Sequence, residues 1–208
     1  MKKALKEKIK KIWRTPLVGY MTRKTGNKRI RILATNCMGG LLYHDTGKPF
    51  DSPTINCTVS GMDFIKLCQN PDYYMSQTPT LAETSPAGYP IADVGGIRVN
   101  GVHYKDIDDF SDKWIRRGER FLQQKDAEIL VIGSDAQIKT DEEIEAFHSL
   151  PYRKVCFTIR KDIPYDEFVF VETFKDMENM GDLTRYAGAF GKRIFEKEFD
   201  FVKWINEK

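Results

Sequence analysis

The amino-acid sequence predicts an α/β domain, a mostly parallel sheet with helices on both faces. Three observations carry this. Residues 128–133 (Glu-Ile-Leu-Val-Ile-Gly) and 154–159 are near-continuous apolar runs of strand length, the pattern of strands buried on both faces. Strand and helix patterns alternate between residues 97 and 159, which argues for right-handed βαβ units. A chain of 208 residues with 41 % hydrophobic content suits one domain with a sizeable core. The expected arrangement is Rossmann-like and three-layered, with an irregular insertion near residues 70–96.

Taken in order, residues 1–28 read as a basic amphipathic segment and residues 29–208 as a single α/β domain. Residues 30–35 (Ile-Arg-Ile-Leu-Ala-Thr) are the first strand, ending at Asn36-Cys37. A Gly39-Gly40 turn follows, then a loop over 44–53, rich in Gly, Pro, Asp and Ser. Residues 54–59 read as a short strand. Residues 62–69 read as a helix stopped before Pro71. Pro, Ser and Thr dominate 70–90, which reads as the longest irregular stretch. Residues 91–94 and 97–103 form strands around Gly95-Gly96, in the manner of a hairpin. Ile107, Phe110, Trp114 and Phe121 share one face of a helix over 106–124. Thr140-Asp141-Glu142-Glu143 is a capping box that opens a helix to about residue 150. Residues 168–171 are a further short strand. Leu183, Tyr186, Ala187, Phe190 and Ile194, then Phe201, Val202 and Ile205, recur at helical spacing, with Gly188 and Gly191 marking a kink or close packing.

The net charge of +3 conceals an asymmetry. Residues 1–31 hold twelve Lys or Arg and one acid, Glu7, whereas the remaining 177 residues hold 21 bases and 29 acids. Leu5, Ile9 and Ile12 recur at helical spacing with Trp13 beside them. Two readings stay open. Residues 1–14 lie peripherally on an anionic membrane surface, or their apolar stripe packs on the body. Interleaved aromatics and a nucleic-acid-binding signature are missing, so no nucleic acid is expected as a partner. Cys37, Cys57, Cys68 and Cys156 have no zinc spacing, and no apolar h-region opens the chain. Reduced thiols in a cytoplasmic protein are therefore expected, with membrane-peripheral placement as the variant.

Polar residues cluster at the expected strand ends: Asn36-Cys37, His103-Tyr104, Ser134-Asp135 and Thr158 to Arg160. Ligands of parallel sheets bind beyond the carboxyl ends of strands. Cys37 as nucleophile and His103 as general base make a candidate acyl-transfer pair. Gly39 and Gly40 let backbone N–H groups approach an anion. Asn36, Ser52 and Asn56 suit sugar hydroxyls, and Arg117 suits phosphate or carboxylate. Each has a plainer alternative. Cys37 also reads as a small core residue, His103 as a hydrogen-bonded structural histidine, and Ser52 and Asn56 as turn residues. Arg116, Arg117 and Arg120 also read as a solvated face paired with Asp112 and Glu119. Asp106 and Asp108 imitate the acidic motif of metal-dependent transferases but also suit a helix N-terminus. His44 sits beside the Gly-Gly pair and could join the site. There is no P-loop, G-x-G-x-x-G, G-x-S-x-G or H-E-x-x-H, so no cofactor and no metal ligands are assigned.

The run Asn36-Cys37-Met38-Gly39-Gly40, with Tyr43 and then Phe50-Asp51-Ser52-Pro53-Thr54-Ile55-Asn56, resembles the opening of the bacterial DUF1919 family. Asp63-Phe64, Tyr89-Pro90, His103-Tyr104 and Trp114-Ile115-Arg116-Arg117 extend the likeness across about residues 30–205. The resemblance implies a protein of exopolysaccharide or capsular polysaccharide biosynthesis. Acyl (acetyl) transfer to a sugar is the candidate reaction, with a carbohydrate or lipid-linked sugar as partner. It supplies no catalytic residues. Two alternatives stand beside it: a non-catalytic carbohydrate-binding or assembly module of the same pathway, and a metal-dependent glycosyltransferase-like protein.

Overall fold

A computed structural model describes residues 2–187 and 191–207, with side chains from residue 12 onward. In chain order the elements are α1 (Lys2–Thr25), β1 (Ile30–Ala34), α2 (Met38–Asp45), α3 (Gly61–Gln69), α4 (Pro71–Met75), β2 (Thr80–Thr84), β3 (Pro90–Val94) and β4 (Ile97–Asn100). They continue with α5 (Ile107–Gln123), β5 (Glu128–Ser134), α6 (Asp141–His148), β6 (Arg153–Thr158), β7 (Phe168–Phe170), α7 (Ile194–Glu198) and α8 (Phe201–Asn206). Four parallel strands form one sheet in the order β1-β5-β6-β7, and β2-β3-β4 form a separate antiparallel sheet. Among the described residues no helix is long and apolar enough to cross a membrane.

Side-chain alternation along the parallel strands feeds two cores. Leu33, Val131 and Cys156 point into a core shared with α3, α5, α6 and the small sheet. Ile32, Leu130, Ile132, Val155 and Phe157 point into another, closed by Met21 of α1, Leu42 of α2 and Ile205 of α8. Burial on both sides explains why these strands read as unbroken apolar runs. The capping box at Thr140 forms as expected, Thr140 Oγ1 accepting from Glu143 N at 3.2 Å and Glu143 accepting from Thr140 N at 3.1 Å.

Several expectations are corrected. Gly39 and Gly40 lie inside α2 and make no turn. A Cβ on Gly39 would stand 2.9 Å from Ala34 Cβ, and one on Gly40 would stand 3.0 Å from Ile55 Cγ2. The glycines serve close packing of α2 on its neighbours. Residues 54–59 are turns with one bridge, Thr58 to Asn100; Asn56, at φ 66°, breaks the extended run. The stretch 70–96 is ordered. Pro71 occupies the first helical position of α4 and Pro90 opens β3, two places where a missing N–H does no harm. The strand 97–103 ends at Asn100, and it pairs antiparallel with β3, as the hairpin predicted. The link through α5 therefore joins two sheets and is not a βαβ unit. Residues 183–187 are turns and a bridge to Arg193, not helix. Gly188 and Phe190 lie outside the described residues, and Gly191 has φ 64°.

A buried ionic cluster fastens α1 to the body. Arg14 bonds Asp45 of α2 and Glu196 of α7, and Arg193 also bonds Asp45. Arg14, Asp45 and Arg193 are 4 %, 0 % and 7 % exposed. Burial alone would raise the Asp45 pKa, but the two guanidinium groups outweigh it and hold the carboxyl below its ordinary 3.8. Leu17, Met21 and Thr25 continue the same helix face inward.

Two glycines on helices should behave oppositely. A Cβ on Gly118 would stand 2.3 Å from the Met75 carbonyl oxygen, whereas one on Gly19 would meet nothing within 4 Å. Gly118→Ala is expected to cost about 2 kcal/mol through overpacking. Gly19→Ala is expected to add up to about 1 kcal/mol through helix propensity. Urea titration of both variants checks this. Asp45→Asn should cost about 3–5 kcal/mol at pH 7 by leaving two buried cations under-compensated. Because the folded-state pKa is depressed, the wild-type carboxylate's contribution is present above pH 3.8 and is lost as pH falls through the lower folded value. The gap between wild type and variant should therefore narrow below about pH 4 in the same titration.

Candidate active site

The carboxyl end of β1 runs through Thr35 and Asn36 into Cys37, which sits at the N-cap of α2. Asn36 is used locally: its Oδ1 accepts from Met38 N at 3.1 Å and its Nδ2 donates to Gln137 Oε1 at 3.2 Å. Beyond it opens a cleft of about 340 Å³. Its walls are Cys37, Gly40, Leu41 and His44 from the α2 region, Phe50, Ile55 and Asn56 from the following segment, His103, Arg117 of α5, and Thr184. The fold thus brings five of the eight candidate residues to one cavity: Cys37, Gly40, Asn56, His103 and Arg117. Asn36, Gly39 and Ser52 do not line it. Gly39 faces the sheet, and Ser52 is fully buried with its hydroxyl 3.1 Å from Thr54 Oγ1. Two other polar strand ends are also elsewhere. Asp135 accepts from Ile159 N at 2.7 Å and Thr158 Oγ1 at 3.1 Å, while Arg160 pairs with Asp141 and Asp162.

Arg117 is the unusual member. It does not belong to a solvated face. The side chain is 7 % exposed, and its Nη1 donates to Tyr104 OH at 2.6 Å and Ile55 O at 3.3 Å. Tyr104 OH in turn donates to Ile55 O at 2.7 Å. The Phe50 ring centroid lies 6.0 Å from the guanidinium carbon. Its buried Nε has no hydrogen-bond partner, and no carboxylate among the described residues lies within ion-pair distance. Arg120, one turn on, is compensated by Asp51 at 3.0 Å. A buried charge is normally paired, whereas Arg117 is held by hydrogen bonds to a hydroxyl and a carbonyl.

Two histidines flank this charge. His103 is exposed, in the turn before α5. His44 is 68 % exposed at its side chain, with Nδ1 2.9 Å from Asp45 Oδ1. Bonding of Nδ1 to a fixed carboxylate selects the tautomer that leaves Nε2 free to accept a proton. Sequence reading placed His44 only as a possible companion, because nothing in the sequence showed that Asp45 is buried and held by two arginines.

The thiol is less well equipped. Burial, with help from the Asp182 carboxylate, pushes the Cys37 pKa above 9.0. A backbone hydrogen bond offsets this only in part, and no cation among the described residues does, so Cys37 lines the cleft without an activated thiol. Asp106, offered as a metal ligand, instead caps α5 by accepting from Asp109 N at 2.8 Å. Among the described residues no three His, Cys, Asp or Glu side chains converge as metal ligands. A larger cavity of about 600 Å³ lies at the amino end of β1, beside Ile30 and Tyr43. Its lysines are occupied at carbonyls: Lys48 Nζ donates to Gly26 O at 3.0 Å, and Lys28 Nζ to Glu207 O at 3.1 Å.

The family model described as "Domain of unknown function (DUF1919)" matches residues 8–206. The chain belongs to the DUF1919 family. A relative from Haemophilus influenzae (strain ATCC 51907 / DSM 11121 / KW20 / Rd), described as an uncharacterized protein, is 28 % identical over 187 residues. The match covers 89 % of this DUF1919 chain and 88 % of the relative.

Thiol chemistry offers a direct check on the cleft. In the native protein a small alkylating reagent should modify Cys37 before Cys57, Cys68 and Cys156, which are all 0 % exposed. Its rate should still be climbing above pH 9, since the thiolate is the reactive form. A rate that levels off by pH 8 would show an activated thiol and overturn this reading of the site.

Proposed function

We propose that this protein is a transferase of surface-polysaccharide biosynthesis that acts on an anionic sugar, one bearing a phosphate or carboxylate. The observation that carries the reading is Arg117, a buried guanidinium without a carboxylate partner among the described residues, on a cleft that also presents two histidines. The location fits. In a Rossmann-like reading of the four parallel strands, the cleft lies beyond the carboxyl end of β1, where such sheets bind ligands. The link to polysaccharide assembly comes from the motifs around Cys37 and Phe50 to Asn56 that resemble DUF1919 proteins, and it stands as an inference.

Acyl transfer is the reaction the polar groups suit. Arg117 holds the anion and Asn56 positions the ring. His44, oriented by Asp45, takes the proton of a sugar hydroxyl through Nε2. The oxygen attacks the carbonyl of an acyl thioester, the carbon–sulfur bond breaks, and the departing thiolate takes the proton back from His44. Cys37 stays protonated and forms a wall. His103, free of hydrogen bonds to the described residues, contacts the incoming substrate.

Thermal shifts with a sugar 1-phosphate and with the parent neutral sugar test the first part. Stabilisation by the phosphate alone is expected, and its loss in Arg117→Met. Equal stabilisation by both sugars would sink the anion reading. For the second part, His44→Gln should lose at least about 100-fold in kcat while keeping the phosphate-induced shift, and Cys37→Ser should keep its activity. Binding without turnover by the wild-type chain, across acyl thioester donors, would instead favour the carbohydrate-binding module.

A further inference from the structure

Helix α1 has two opposed faces, and the body covers only one. Arg14, Leu17, Met21 and Thr25 are spaced to share a face, and that face meets the protein through the ionic cluster and the second core. On the other side Ile12, Trp13 and Tyr20 are 69 %, 59 % and 43 % exposed. The i, i+3, i+4 spacing places Leu5 and Ile9 in sequence register with Ile12, and it puts Pro16 between Ile12 and Tyr20. Ile12, Trp13 and Tyr20 thus leave an apolar strip on the outside of α1, and Leu5 and Ile9 continue its spacing in the sequence. Lys2, Lys3, Lys6, Lys8, Lys10 and Lys11 accompany it with Glu7 as the one acid, while the body beyond residue 31 carries a net charge of −8.

We propose that α1 is an interfacial helix that docks the protein on an anionic lipid surface, with Ile12, Trp13 and Tyr20 entering the headgroup boundary. An apolar stripe with an aromatic at its edge, bordered by lysines, is the composition of helices that lie in that plane. The charge argues for lipid over a second copy of the chain. A second copy would bring a like-charged lysine row against this one, whereas an anionic bilayer supplies the complementary charge. The ionic cluster fixes the orientation. With Arg14 anchored inward, the outer stripe cannot roll onto the body. A cavity lined by Arg14, Thr15 and Val18 shares Leu41 and His44 with the cleft, so docking brings the cleft close to the membrane. This inference does not rest on the proposed reaction.

Co-sedimentation of the full chain with vesicles tests it. Binding is expected to vesicles of phosphatidylcholine with 30 % phosphatidylglycerol, but not to phosphatidylcholine alone, and it should weaken at least tenfold between 50 and 500 mM salt. Trp114 and Trp204 are buried at 1 % and 6 % exposure, so a blue shift of tryptophan fluorescence on binding reports Trp13 and should vanish in Trp13→Phe. The double variant Ile12→Asp, Trp13→Ser changes exposed positions and leaves the cleft intact. It should lose vesicle binding at least tenfold while keeping its melting temperature and its response to the sugar phosphate. Equal binding to both vesicle types, unchanged binding by the double variant, or a dimer that the double variant dissolves in the absence of lipid binding would each overturn the proposal.

Discussion

Asp45 is the point on which the arrangement turns. Its carboxylate lies at the end of α2 with no exposed surface, and its Oδ2 receives both Arg14 from α1 and Arg193 from the start of α7. Glu196 joins Arg14, so two cations and two anions balance inside the fold. Desolvating four charges is costly, and such clusters more often specify an arrangement than stabilise it. Here the specification is concrete. Three helices from the two ends of the chain must meet at one position, and each guanidinium must find the same carboxylate. The remaining oxygen, Oδ1, is the one that holds His44. The same residue therefore anchors α1 through Arg14 and holds the Nδ1 side of a histidine on the cleft.

The second fixed charge works differently. Among the described residues Arg117 is compensated only by dipoles, the Tyr104 hydroxyl and the Ile55 carbonyl, and both are tied to each other. Dipoles orient a guanidinium without neutralising it. Asp51, which could have done so, is used by Arg120 and by Gln124 at 2.6 Å. Segment 47–56 thus separates two arginines one helical turn apart, giving one a carboxylate and leaving the other an aromatic ring. That difference is the basis for proposing Arg117, and not Arg120, as the receptor of an external anion.

The parts of this fold legible in the sequence were those governed by local rules. Buried strands at β1, β5 and β6, the amphipathic α5 and the Thr140 capping box each depend on contiguous residues. The errors arose where a residue type has two structural uses. Gly39-Gly40 reads as a turn when only freedom of φ is considered, yet these glycines are needed because α2 lies against Ala34 and Ile55. Proline-rich 70–90 reads as loop, yet Pro71 and Pro90 sit at element starts. The site followed the same division. Strand-end logic led to Cys37 and His103, which share the cleft, but Asn56 sits in a turn and Arg117 on α5, and the strand ends at Asp135 and Arg160 lie elsewhere. The unpaired state of Arg117 and the anchoring of His44 depend on partners 62 and 148 positions away, Ile55 and the Arg193–Asp45 bond, which no local pattern encodes.

The charge distribution joins these elements into one functional picture. A body with net charge −8 repels anions at long range, and screening leaves that field a reach of about 10 Å at 0.1 M salt. The anionic sugar proposed as substrate would therefore not be steered from bulk solution, and its recognition would depend on short-range contact with Arg117. The proposed docking of α1 on lipid would change the encounter. It would let the basic helix hold the membrane while the acidic body faces away, orienting the molecule as an electrical dipole. A substrate already confined to that surface then meets the cleft by diffusion in two dimensions, and the body's unfavourable field counts for less. On these two proposals the basic helix and the buried arginine solve separate halves of one problem: the first would bring an acidic protein to an anionic surface, and the second would let it hold an anion once there.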